Sequence, residues 1–229
     1  MKTLVIVPTY NERENIPKLL QQILQLNPEV HILVVDDNSP DATAQVVQEL
    51  QKNDPRIHLL LRQQKQGLGK AYLAGFRWGL ENSFETLVEM DADFSHRPED
   101  LVKILQALHT SDFVIGSRYV PGGATLHWGW IRKLISRGGG IYSRLILGYP
   151  IRDWTGGFNA WRSPVLKALN LDGIQSNGYS FQIELKYKAS RLGFKGQEVP
   201  IIFEDRRVGQ SKMSLGIVLE AFYKVWLLR

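Results

Sequence analysis

Hydrophobic positions along the chain come in two textures that alternate. Short, almost unbroken apolar runs occupy residues 3–7 (TLVIV), 31–35 (HILVV), 57–62 (IHLLLR), 86–90 (TLVEM) and 112–120 (DFVIGSRYV). Such runs predict strands buried on both faces. Between them the period lengthens. In residues 15–27 (NIPKLLQQILQLN), Ile16, Leu19, Leu20, Ile23 and Leu24 share one helical face. Residues 40–53 predict a helix with Asp41 near its start, 67–82 a helix opened by glycines, and 98–110 a helix with Pro98 and two acids in its first turn, which suits the helix dipole. This β-α-β-α order predicts an α/β fold, Rossmann-like, with a mostly parallel sheet flanked by helices. No repeat or low-complexity linker divides the chain, so a single domain over 1–229 is expected, with a longer α+β tail.

Ligands of such sheets bind beyond the carboxyl ends of the strands. Here those ends read PTYNE, DDNSPD, DADFSH and GSRYV, all polar, and three of them acidic. DDNSPD admits three readings: a Mg²⁺ pair of a phosphorelay receiver, a grip on a nucleotide's base or ribose, or the polar start of the next helix. The receiver layout needs its acidic pair on the first strand and a lysine after the fifth, and this chain has neither. In DADFSH, Asp91 and Asp93 could both reach a hard cation, Mg²⁺ or Mn²⁺, that keeps waters and substrate phosphates. The rival is a turn with helix-capping acids. His96 reads as support rather than as a ligand. GLGKA (67–71) is neither a Walker loop nor a dinucleotide fingerprint, and reads as a tight loop bringing Lys70 near a ligand.

Charge sharpens the picture. The 229 residues carry a net +5, which suits anionic partners: nucleic acid, nucleotides or an acidic membrane surface. Nothing reads as a helix-turn-helix, RNA-recognition or zinc-finger signature, so no nucleic acid is expected. The absence of cysteine removes disulfides, thiolate metal sites and a cysteine nucleophile, and fits a reducing compartment. The first apolar run stops at Pro8, unlike a signal peptide. No window offers about 18 uncharged apolar residues, so no membrane-spanning helix is expected. Residues 213–229 come nearest, but Glu220 and Lys224 interrupt them. Residues 131–149 mix Arg132, Lys133, Arg137 and Arg144 with isoleucines and leucines, a composition suited to the interface of a membrane with anionic headgroups, although a solvated basic face has the same look. Residues 204–212 (EDRRVGQSK) cluster bases around a glycine, as a lid over a diphosphate or a plain solvated loop would.

Taken in order, VPTYNERENI, VVDDNSPDAT, GLGKAYLAGF, MDADFSHRPEDL, GSRYVPGG, RKLISRGG, DWTGGFNAWR, GYSFQIE and EVPIIFEDRRVGQSK resemble the family 2 glycosyltransferases of GT-A fold, and among them the dolichol-phosphate (polyprenol-phosphate) mannose synthases. The likeness spans nearly the whole chain. It implies inverting transfer of mannose from GDP-mannose to a polyprenyl (dolichyl) phosphate, with a nucleotide-binding half over about 1–120 and an acceptor-binding half over about 121–229 that ends in an amphipathic helix. Pro8, Tyr10, Glu12, Asp37, Lys70 and Ala92 would line the nucleotide-sugar site, and Arg206 and Lys212 would close over its phosphates. Asp91 and Asp93 would hold Mg²⁺ or Mn²⁺. Arg118, Arg132 and Ser136 would hold the acceptor phosphate. Glu184 falls where the family has an acid near the sugar. The expected location is the cytoplasmic face of a membrane, reached peripherally or through a small membrane-anchoring partner. Two departures stand out: Ser95 replaces a metal-side glutamine of some relatives, and Asn159 replaces an arginine or hydrophobe. A UDP-sugar donor, and a nucleotide-binding regulator without transfer, are the alternatives.

Overall fold

The computed structural model describes residues 1–174, 176–205 and 223–229. Five strands fall where the apolar runs predict them: β1 (Thr3–Thr9), β2 (Val30–Asp36), β3 (Ile57–Leu61), β4 (Thr86–Glu89) and β5 (Phe113–Ser117). The intervening helices are α1 (Ile16–Leu26), α2 (Thr43–Asn53), α3 (Leu68–Glu81) and α4 (Pro98–Ala107). After them come β6 (Ala124–Thr125), α5 (Trp130–Leu147), β7 (Asn159–Arg162), α6 (Ser163–Ala168), a short 3₁₀ turn, α7 (Gly178–Arg191), β8 (Gly196–Pro200) and β9 (Ile202–Phe203).

Seven strands form one sheet in the order β3-β2-β1-β4-β7-β5-β8, and β6 and β9 form a small second sheet. All neighbours in the large sheet run parallel except β7, which lies antiparallel between β4 and β5. The fifth apolar strand therefore does not pair with the fourth. Residues from both sides of position 120 build the same sheet.

Side-chain alternation divides the core. Leu4, Ile6, Leu33, Val35, Leu87 and Ile115 face α3, α6 and α7. Val5, Val7, Ile32, Val34, Val88 and Val114 face α1, α2 and α4. Adjacent residues thus serve opposite layers, which is why the runs have no polar member to spare. The α1 face is buried through Ile16, Leu19, Leu20 and Ile23, each worth about 1.5–3 kcal/mol. Helix α3 lies very close to the sheet: a Cβ at Gly75 would come within 2.5 Å of Ile6, and one at Gly79 within 2.4 Å of Leu87. Among the described residues no helix is long and apolar enough to cross a membrane.

At the edge of the sheet, His31 and His58 stack with centroids 5.3 Å apart and share a ring-nitrogen hydrogen bond of 3.1 Å. Burial first, then nearby positive charge, lowers both from the ordinary 6.5. Each is therefore harder to protonate in the fold than in the open chain, so its stabilising contribution is present above about pH 6.5 and fades as the pH falls through the lower folded value. NMR titration should place both midpoints below 6.5. The loss of Tm between pH 7 and 5 should shrink in His58→Phe, and an undiminished loss would refute the assignment.

Candidate active site

The carboxyl ends of β1, β2 and β4 lie side by side and carry the predicted acids. Asp36, fully buried, accepts hydrogen bonds from the Thr9 hydroxyl (2.7 Å) and from the Ser39 N–H (2.8 Å) and hydroxyl (2.6 Å). It ties the two strand ends together. Asp37 is the next residue outward, and Arg62 Nη1 donates to it at 2.7 Å. Burial raises the Asp37 carboxyl above its ordinary value, and Arg62 opposes that. Asp41 accepts from the Thr43 N–H and hydroxyl and from the Arg13 N–H, so it organises the start of α2. The Glu12 N–H donates to the Thr43 hydroxyl and Asn15 donates to the Glu12 carboxylate, which brings Glu12 to the same corner. Tyr10, just past β1 and Pro8, has the Lys65 ammonium 3.7 Å above its ring. Lys70 is exposed on the first turn of α3, and Lys65, exposed as well, is the lysine that stacks on Tyr10. Gly69 of the glycine pair serves packing: a Cβ there would stand 3.1 Å from Phe181 and from the Ser176 carbonyl.

Beyond β4 the chain turns through Asp91, Ala92 and Asp93. The Tyr72 hydroxyl donates to Asp91 Oδ1 at 3.1 Å, and the Asp91 N–H donates to His96 Nδ1 at 3.0 Å. That bond leaves the His96 proton on Nε2. Burial lowers His96, which keeps the ring neutral, and it stacks on Phe158 at 4.9 Å. Its Nδ1 is occupied by the backbone, so His96 supports the turn, as the sequence predicts. Asp93 Oδ1 accepts the Ser95 N–H, while the Ser95 hydroxyl is buried with no hydrogen-bond partner. Among the described residues no group of three or more acids, histidines or cysteines could enclose a metal. Two carboxylates beside an orphaned hydroxyl suit a hard cation that completes its shell with water and phosphate. The residues present therefore fit Mg²⁺ or Mn²⁺.

Several of these turns hold non-glycine residues at positive φ: Asn11 (63°), Asn38 (56°) and Ala42 (67°) beyond β1 and β2, and Phe94 (61°) beyond β4. The left-handed region suits asparagine but disfavours most other side chains, so Ala42 and Phe94 are strained positions beside the displayed acids.

The predicted phosphate-holding residues meet on aromatic rings. Arg118, next after β5, lies 5.3 Å from the Tyr119 ring centroid, 5.4 Å from Trp128 and 5.5 Å from Phe203. Arg132 lies 4.0 Å from Trp128 and pairs with Asp205 at 2.9 Å. The Tyr119 hydroxyl donates to the Ser136 hydroxyl at 2.6 Å. Phe203 also packs edge-on against His96, which connects this cluster to the Asp91–Asp93 turn. Arg206 and Lys212 lie outside the described residues.

One set of residues escaped the motif reading. Glu89, fully buried in β4, accepts from Trp161 Nε1 (2.7 Å), Gln182 Nε2 (2.5 Å) and Asn159 Nδ2 (3.4 Å). Burial pushes its carboxyl up to about 7 against those bonds. Gln182, rather than Glu184, is the member of FQIE that enters this network; Glu184 pairs with Lys188 at 2.6 Å and accepts the Ser176 N–H. Asp153 accepts two bonds from the Arg118 guanidinium, at 2.8 and 2.7 Å. Burial alone would raise Asp153, but Arg118 outweighs it and holds the carboxyl below its ordinary value. The available signal was an acid inside an otherwise apolar strand (TLVEM).

Residues 4–169 match the family described as Glycosyl transferase family 2. The chain belongs to this family. Among relatives, it is 49% identical over 225 residues to the undecaprenyl-phosphate mannosyltransferase of Micrococcus luteus, covering 98% of this chain and 93% of that one. It is 50% identical over 226 residues to the polyprenol monophosphomannose synthase of Mycolicibacterium smegmatis, covering 98% and 85%. In fold it resembles glucosyl-3-phosphoglycerate synthase of Mycobacterium tuberculosis, with TM-score 0.71 and 19% identity over 99% of this chain and 79% of that one. A mannosyltransferase of Pyrobaculum calidifontis in complex with GDP-Man and Mn²⁺ gives TM-score 0.62 and 19% identity over 92% and 58%. The chain is thus a glycosyltransferase with the GT-A fold.

In this glycosyltransferase the Arg118–Asp153 pair is almost wholly buried. Removing one partner of such a pair strands the other charge, at a cost of about 3–5 kcal/mol. Asp153→Ala should lose that much in urea unfolding. A loss under about 1 kcal/mol would mean that the pair is solvated in solution.

Proposed function

We propose that the chain is an inverting transferase that moves mannose from GDP-mannose to a polyprenyl (dolichyl) phosphate. The supporting observation is the near-full-length identity of about half to two relatives whose names specify polyprenyl-phosphate mannosyl transfer. The meeting of Arg118, Arg132 and Ser136 around Trp128 and Tyr119 agrees with it.

The chemistry asks little of a base. A phosphate monoester has a second pKa of about 6, so the acceptor is mostly dianionic at neutral pH. Arg118 and Arg132 orient its oxygen toward the anomeric carbon, opposite the departing diphosphate, and Ser136 offers a further polar contact. Their aromatic floor keeps both guanidiniums in place and limits water beside them. Asp37 takes the base or ribose, while Pro8, Tyr10, Glu12, Ala92 and Lys70 line the nucleotide. Asp91 and Asp93 would hold Mg²⁺ or Mn²⁺, which when bound would neutralise charge on the nucleoside diphosphate. Tyr72, whose hydroxyl burial holds in its protonated form, fixes the orientation of Asp91. Arg206 and Lys212 cover the donor phosphates.

A donor screen with a short polyprenyl phosphate and Mn²⁺ tests this directly. GDP-mannose should give β-linked product and released GDP, and Asp91→Ala should lower the rate at least 100-fold while leaving the circular dichroism unchanged. Turnover with UDP-glucose alone would replace the donor, and no turnover with any donor would favour a regulatory nucleotide-binding role.

The lipid acceptor also requires contact with a membrane. Helix α5 exposes Trp130 (74%), Leu134 (64%) and Leu145 (78%) beside Lys133, Arg137 and Arg144. A hollow of about 220 Å³ lined by Tyr119, Arg137, Gly140, Ile141, Arg144 and Arg152 lies against the same helix, and three of its lining residues are arginines. Gly140 lets α5 approach this corner, since a Cβ there would come 2.8 Å from the Arg152 carbonyl. Tyr223, Trp226 and Leu227, near the C-terminus, are exposed as well. We expect α5 to lie in the interface of an anionic membrane. Leu134→Glu with Leu145→Glu should weaken partition into vesicles containing phosphatidylglycerol at least tenfold, about 1.4 kcal/mol. Unchanged partition would rule out α5 as the membrane-facing element.

A further inference from the structure

Lys186 lies on α7 and is completely buried, an unusual place for an ammonium group. Its three N–H donors find three carbonyls on one turn: Asp153 at 3.0 Å, Trp154 at 3.1 Å and Gly156 at 2.7 Å. The same turn is held elsewhere too. Asn159 Nδ2 donates to the Gly156 carbonyl at 3.1 Å, and Glu198 accepts the Arg152 and Asp153 N–H groups at 2.9 Å each. Within the turn, the Gly156 N–H donates to Asp153 Oδ1 at 2.9 Å.

Asp153 then passes this order outward. Besides Nε and Nη2 of Arg118, it accepts the Arg118 backbone N–H at 2.9 Å, so one carboxylate fixes both the main chain and the guanidinium plane. Thr155, on the same turn, accepts from Arg118 Nη2 at 2.9 Å. When Glu89 is ionised the buried charges balance: Glu89 and Asp153 against Lys186 and Arg118, each at most 6% exposed. Burial draws Lys186 down to about 8, and Asp153 and Glu89 oppose that.

We propose that Lys186 is a positioning residue for acceptor use: its ammonium fixes the 153–156 turn, the turn fixes Asp153, and Asp153 aims Arg118 at the acceptor phosphate. This rests on the role given to Arg118 above. Lys186 touches no substrate. Its effect is on where a guanidinium stands, and a displacement of about 1 Å there is enough to cost about 100-fold in a transfer step.

Two variants separate positioning from plain stability. Lys186→Met removes the clamp and leaves the buried acids in excess. Glu89→Gln with Lys186→Met removes the clamp but restores charge balance. Acceptor KM and kcat are measured with a short polyprenyl phosphate, affinity for GDP with Mn²⁺ by calorimetry, and Tm by near-ultraviolet circular dichroism. Lys186→Met should lower acceptor kcat/KM at least tenfold and change GDP affinity less than twofold. The double variant should recover Tm without recovering acceptor kcat/KM. If Lys186→Met does not fold, the charge-balanced variant carries the measurement. Acceptor use that recovers along with Tm, or equal losses for GDP and acceptor, would overturn the proposal. Arg118→Lys separates the two readings. Unchanged acceptor kinetics there would remove Arg118 from the acceptor site, whereas impaired kinetics there beside normal kinetics in Lys186→Met would overturn the clamp alone.

Discussion

The Arg118–Asp153 ion pair lies where the parallel sheet, the antiparallel insertion and the aromatic cluster meet. Taking two charges out of water costs several kcal/mol per ion, and attraction alone seldom repays it. Here the cost is offset because Asp153 is closely surrounded: two guanidinium nitrogens and two backbone N–H groups reach it. Lys186 and Glu89 extend the pair into a group of four buried ionisable side chains, balanced when Glu89 is ionised. Such a network confers little net stability but allows few alternative arrangements, because any shift leaves a buried charge unpaired. It gives a fixed position to a guanidinium that would otherwise have many rotamers.

Around that point the sheet does the coarse placement. Parallel strands end on the same edge, so the acids after β1, β2 and β4 share a rim. Strand β7 then separates β4 from β5 and sets the basic cluster beside the acidic turn rather than next to it in the ladder. Its register puts Asn159 opposite both Glu89 and Ile115. The polar network therefore spans the sheet at the level where the loops begin. Positive φ values at Ala42 and Phe94 show that these rim loops are held by their surroundings, whereas the asparagines at 11 and 38 suit that conformation locally.

Much of this is legible in the residue pattern. The strands and first four helices are fixed by local periodicity, and the acids by their position at strand ends. The roles within acidic pairs were legible in part. Asp36 and Asp37 are neighbours of the same type, yet alternation turns one inward to Thr9 and Ser39 and leaves the other toward Arg62. That Lys65 stacks on Tyr10 is not visible in the pattern, because it depends on how the loop before α3 folds.

The layered α/β fold, the acidic rim and the amphipathic character of α5 follow from residue types at short spacing along the chain. The partners of Glu89, Arg118 and Lys186 are set by long-range packing. Those partners come from positions roughly 30 to 90 apart in the chain, and nothing local distinguishes a buried charge that will be matched from a solvated one. The short strand β7 is likewise a product of its neighbours: four residues with polar ends become a strand because β4 and β5 offer ladder edges on both sides.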